Sequence, residues 1–122
     1  MMRQKEIFNS LVIGLIDDIP QGEQFEKAEL NIMRLEGVVE FNSYIIDGEN
    51  KKRTLEVSMG YKYAKLIHEL YNITQNEPPV HTNWNRAKFT LFHDGKMQME
   101  YIWDQELQDE VDGYNNDIKP NA

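Results

Sequence analysis

Three histidines, no cysteine and seven scattered glycines bound the chemistry open to this chain. His68, His81 and His93 match neither an HExxH pair nor any other compact ligand spacing. His68-Glu69 falls within a helical pattern, and His93 stands beside Asp94 in a turn, where turn chemistry accounts for it. There is no thiol nucleophile, and Ser10, Ser43 and Ser58 lie in helix or strand patterns with no elbow motif. No two glycines are closer than eight residues, so no phosphate cradle is expected. Asp47-Gly48-Glu49-Asn50 opens like a calcium loop, but the twelfth position is Ser58 where a bidentate Glu is required. Asp17-Asp18 and Asp109-Glu110 are paired carboxylates without a cleft-forming apolar wall. No cofactor, metal or catalytic set is therefore expected. The remaining enzymatic route is a pocket built from scattered residues, with Trp84, His81 and His93 as its walls.

The residues left over suit recognition of another protein. Trp84, Tyr101 and Trp103 gather around the last strand pair. Trp84 sits in a polar loop. It either plugs the open end of the core, which is the favoured reading, or anchors a partner. Glu100, Asp104, Glu106, Asp109 and Glu110 flank these aromatics. An aromatic centre rimmed by carboxylates has the composition of a surface that takes Arg and Lys from a basic protein. Trp84, Glu100, Tyr101, Trp103, Asp104, Glu106, Asp109 and Glu110 are the candidate partner-binding residues. Met97 and Met99, on one strand face, read as core filling or as adaptable contact.

The elements that must hold these residues follow from periodicity. Ile7, Phe8, Leu11, Val12, Leu15, Ile16 and Ile19 form one wide stripe, so a first helix ends at Asp17-Asp18 and Pro20. Three period-two runs follow, over 25–35, 38–46 and 54–59, broken at Glu36-Gly37 and at 47–51. Tyr63, Leu66, Ile67, Leu70 and Tyr71 mark a second helix over 61–74, which Pro78-Pro79 stops. A hairpin then joins 89–92 to 97–103 through His93-Asp94-Gly95-Lys96, with Asp94 and Gly95 both able to take positive φ. Trp103, Leu107, Val111 and Tyr114 predict a short third helix over 104–112 with Asp104 as N-cap. Asp112 near its end opposes the helix dipole, so fraying is expected unless the helix is docked. The fold class expected is α+β, a two-layer sandwich with an antiparallel sheet and element order α-β-β-β-α-β-β-α. Residues 1–114 form one domain and 115–122 a flexible tail.

The 122 residues carry a net charge of −8, which disfavours direct contact with nucleic acid or an anionic membrane. The charge is local. Residues 1–96 hold 14 acids and 12 bases, whereas residues 97–118 hold seven acids and no Lys or Arg. Taken alone, such a strip is most simply a solubilising surface; as an interface it steers a basic partner. The longest apolar run, Leu11–Ile16, is far short of a membrane span, and the N-terminus has no signal-peptide pattern. With no cysteine, these features suit the cytoplasm.

From Ile7 to Leu107 the chain resembles the YezG-like family of bacterial immunity proteins, the antitoxins of polymorphic toxin systems. The resemblance begins with the first helix closing in Ile19-Pro20 and continues through Phe25-Glu26-Lys27-Ala28 and Val38-Val39-Glu40-Phe41. It is strongest at Trp84, Phe89-Thr90-Leu91, Gly95-Lys96-Met97, Tyr101 and Asp104. What the resemblance implies is a small cytoplasmic protein that neutralises a toxin domain, commonly a nuclease, by binding it, with no catalytic residue or cofactor. Small acidic secretion chaperones of the type III class share the element order and charge but no motif, and are the alternative. They are usually dimeric, which leaves a homodimer open.

Overall fold

A computed structural model describes residues 3–35, 38–58, 60–77 and 83–118, with side chains to Gly113 in the last stretch. The elements are α1 (Gln4–Asp18), β1 (Lys27–Leu35), β2 (Val38–Ile46), β3 (Lys52–Leu55), α2 (Gly60–Asn76), β4 (Arg86–Phe92), β5 (Met97–Ile102) and α3 (Gln105–Ile118). The five strands form one antiparallel sheet in the order β3-β2-β1-β4-β5. The α+β class and the element order are as the periodicity predicts. The α2 crossover carries the chain from the β3 edge back to β4 beside β1, so two hairpins flank the central strand β1.

Register explains which residues meet the helices. Ile32 lies across from Phe41 and Ala87, and Leu30 across from Ser43 and Phe89, so one sheet face is nearly all apolar. Against it lie Ile7, Leu11 and Leu15 of α1 and Tyr63, Ile67, Leu70 and Ile73 of α2. Ring contacts lock the layers, with Phe8 5.9 Å from Phe89 and Phe41 5.4 Å from Tyr63. The other face carries Glu29, Asn31, Tyr44, Lys88, Thr90 and Glu100. Polar pairs cover it: Asn31 donates to Asn42 at 3.2 Å, and the Tyr44 hydroxyl donates to Glu29.

Several boundaries depart from the sequence pattern. The apolar stripe of α1 is narrower than expected, because Ile16 is 53% exposed. A helix resting on a sheet buries one line of side chains plus its flanks; Phe8 and Val12 still pack on the core from the flank, whereas Ile16, a turn further on, faces outward. The strand β3 stops at Leu55, and Val57 packs on the core from outside it. The last helix runs to Ile118, well past Asp112, so the backbone of 115–118 is helical where a loose tail was expected. The expected breaks at Glu36-Gly37 and Pro78-Pro79, and residues 119–122, lie outside the described residues.

The two short hairpin loops share one design. Phe92 N–H donates to the Lys96 carbonyl and Gly95 N–H to Phe92; Asp47 and Asn50 repeat the pattern with Lys51. Each is a three-residue loop whose last residue takes positive φ, 92° at Gly95 and 63° at Asn50. Only Gly95 does so in the second loop, not Asp94 as well.

Candidate functional site

Trp84 lies two residues before β4 and is 1% exposed. Its indole N–H donates to Thr74 Oγ1 at 3.0 Å, and that hydroxyl donates to the Tyr71 carbonyl at 3.0 Å. The rings of Tyr71 and Tyr101 flank it with centroids at 5.3 and 5.1 Å. The Arg34 guanidinium sits 3.4 Å above the Tyr71 ring and 5.6 Å from the Trp84 ring, and Nη2 donates to the Trp84 carbonyl at 3.2 Å. Burial pulls the Arg34 pKa down, while Tyr71 partly offsets this. Trp84 is thus the plug of the core. Its place among the partner-binding residues is corrected, because its ring is enclosed on both faces and offers a partner no anchor. Arg34 and Thr74 escaped the sequence reading. The available signal was parity: Arg34 shares the inward face of β1 with Leu30 and Ile32.

Tyr101 also belongs to this plug. It is half-buried, its hydroxyl accepts a hydrogen bond from Gln4 at 3.1 Å, and burial raises its pKa. Its ring forms a wall of the core.

Asp104 is the joint between β5 and α3. Its Oδ1 accepts from Leu107 N–H at 3.1 Å, which makes it the expected N-cap, and its Oδ2 accepts from Arg86 Nε at 2.6 Å. Buried Asn85 clasps its backbone, accepting from Asp104 N–H at 2.7 Å and donating to its carbonyl at 2.8 Å. The bond from Arg86, then that from Leu107, holds the Asp104 carboxyl below the usual carboxylate range. Each oxygen has a partner inside the chain, so Asp104 serves as the structural joint between β5 and α3, with its side chain 29% exposed.

The other five candidates are exposed. Trp103, 41% exposed, donates from Nε1 to Gln105 Oε1 at 3.0 Å. Glu100 stands on the open sheet face opposite Lys88, in a shallow depression of about 170 Å³ shared with Lys27 and Gln98. Glu106, Asp109 and Glu110 share one face of α3 at i, i+3 and i+4. Among the described residues no cation pairs with Glu100, Glu106, Glu110 or Asp109. Asp109 accepts from the Gln105 amide at 2.9 Å. The site that survives is therefore Glu100, Trp103 and the acidic face of α3.

Of the residues of the enzymatic alternative, Trp84 and His93 are not brought together. His93 borders an open depression with Phe25, Glu26 and Asp47, while Trp84 is sealed in the core. His81 lies outside the described residues. Among the described residues there is no group of three His, Cys, Asp or Glu placed to hold a metal ion, and no helix is long and apolar enough to cross a membrane.

Comparison of the chain with models of known protein families finds no match, and comparison with curated proteins finds none similar in sequence.

Proposed function

We propose that this chain is a binding protein of the immunity type, which neutralises a basic partner protein, a toxin domain, by covering it with the acidic surface after β4. The observation that carries this reading is the pairing of sequence and exposure over 97–118. That segment holds seven acids and no Lys or Arg, and among the described residues its exposed carboxylates at Glu100, Glu106, Asp109 and Glu110 form no ion pair, although Lys88 lies across the strand from Glu100. Unpaired surface carboxylates at one end of an otherwise nearly neutral chain steer a basic partner and fix its orientation. The resemblance to the YezG-like family supplies the toxin as that partner, and the absence of cysteine fits a reducing cytoplasm.

The test is capture followed by growth. Immobilised at low salt, the chain should retain a basic protein from its source cell, and the Glu106→Lys/Asp109→Lys/Glu110→Lys variant should not. Expression of that partner alone should arrest growth, with co-expression of this chain restoring it. Equal retention by the variant, or growth indifferent to the partner, would discard the reading.

One observation favours the chaperone reading instead. Ile13 and Ile16 are 60% and 53% exposed, one turn apart on α1, a patch of the kind that holds an apolar segment or a second copy. Sedimentation decides it, since a monomer at micromolar concentration removes the dimer that reading needs.

A further inference from the structure

The sheet has two edges of opposite character. The β3 edge is short, only Lys52–Leu55, and begins with Lys52-Arg53. A short, basic edge is well guarded against strand addition. The β5 edge has six residues, Met97–Ile102, with no Pro, Lys or Arg and one acid, Glu100. It lacks the usual guards.

Hairpin geometry says which backbone groups this edge presents. Phe92 N–H bonds the Lys96 carbonyl at 2.8 Å, which makes Phe92 and Lys96 a hydrogen-bonded pair. In an antiparallel ladder such pairs alternate with non-bonded ones. Gln98 and Glu100 therefore direct their backbone groups to β4, while Met97 and Met99 direct theirs away from it. Among the described residues no strand lies beyond β5, and Met97 is 43% exposed. The charge along this edge selects its occupant. Glu100, then Glu106, Asp109 and Glu110 just downstream, are unpaired with any cation. Two copies of β5 would bring like charges together, whereas a strand bearing Lys or Arg places a cation opposite Glu100.

We propose that the outer edge of β5 is a docking edge, on which an extended Lys- or Arg-bearing segment of the partner protein adds as a sixth strand through the backbone of Met97 and Met99. This mode of recognition, backbone pairing with charge-set selectivity, deepens the reading above and rests on it.

The test is amide hydrogen exchange on the full chain with three synthetic peptides: an alternating Lys–Val heptamer, a Glu–Val heptamer, and a helix-forming Lys–Ala peptide of equal positive charge. The Lys–Val peptide should slow exchange at Met97 and Met99 about fivefold or more, and the other two should not. Met97→Pro removes an outward N–H at the first strand position, where proline is tolerated, and should abolish the protection without lowering the melting midpoint. Should that variant fail to fold, Met99→Lys, which sets a positive charge on the edge, must weaken the same protection. Unchanged exchange at Met97 and Met99 with the Lys–Val peptide overturns the proposal, as does equal slowing by the Glu–Val peptide. If those amides stay unprotected while both basic peptides shift the α3 resonances, the edge is refuted and the acidic-surface reading stands. If neither basic peptide binds at low salt, both fall. Concentration-dependent protection of Met97 and Met99 without peptide also overturns it, by assigning the edge to a second copy.

Discussion

Gly14 is a glycine because of Tyr63. A Cβ at position 14 would overlap the Tyr63 ring, reaching 2.7 Å from Cε1 and closer still to the hydroxyl. That hydroxyl is buried with no hydrogen-bond partner among the described residues. Burial, with Asp18 and Asp17 nearby, pushes its pKa up, so it stays protonated. Gly14→Ala should cost about 2 kcal/mol by overpacking. Tyr63→Phe should be close to neutral, since it removes an unsatisfied group, and should relieve part of the Gly14→Ala cost. Denaturant melts of the double-mutant cycle check this, and strictly additive costs would contradict it. Asp104 makes a prediction about pH. Its folded pKa is depressed, so its contribution is present above the unfolded value and is lost as pH falls through the folded one. Asparagine still caps a helix but cannot pair ionically with Arg86. Asp104→Asn should therefore lower the melting midpoint at pH 7, and the gap from the parent should close below about pH 4. A gap constant down to pH 2 would show that the ion pair contributes nothing. At this scale the sequence was legible in part. Trp84 as a plug could be read from its loop, whereas Asp104 as a joint could not, because its partner Asn85 is 19 residues away.

At the scale of elements the hairpin loops offer the cleanest contrast. Gly95 and Asn50 occupy equivalent positions in loops with the same backbone bonds. Nothing lies within 4 Å of a Cβ built at Gly95, so the cost of a side chain there is conformational alone. Gly95→Ala should destabilise by about 1 kcal/mol, while Asn50→Gly should change stability by no more than a few tenths. Thermal melts distinguish the two, and equal effects would mean the loops are not equivalent. Strand positions were legible because period two fixes which residues face the helices, as Leu30 and Ile32 show. The ends were not. The strand β3 stops at Leu55, opposite Ser43, although β2 itself extends on to Val38. The α1 stripe was over-read at Ile16 because periodicity reports angle around a helix, while burial depends on the shape of what it rests on.

For the whole molecule, charge is the property that chemistry and position both constrain. The −8 was legible in composition, and its place in residues 97–118 by counting. The fold divides those acids into two kinds. Asp104 is spent inside the chain, while Glu100, Glu106, Asp109 and Glu110 face solvent. That division depends on contacts the pattern of residues does not carry. The central claim is that these exposed carboxylates steer a basic partner. It is tested most directly by the association rate of the captured partner, measured by stopped flow between about 20 and 150 mM salt, for the parent chain and for the Glu106→Lys/Asp109→Lys/Glu110→Lys variant. The rate for the parent should fall about tenfold or more across that range, and the variant should start slow and lose most of the salt dependence. A rate independent of salt, or the same for both chains, would contradict the account.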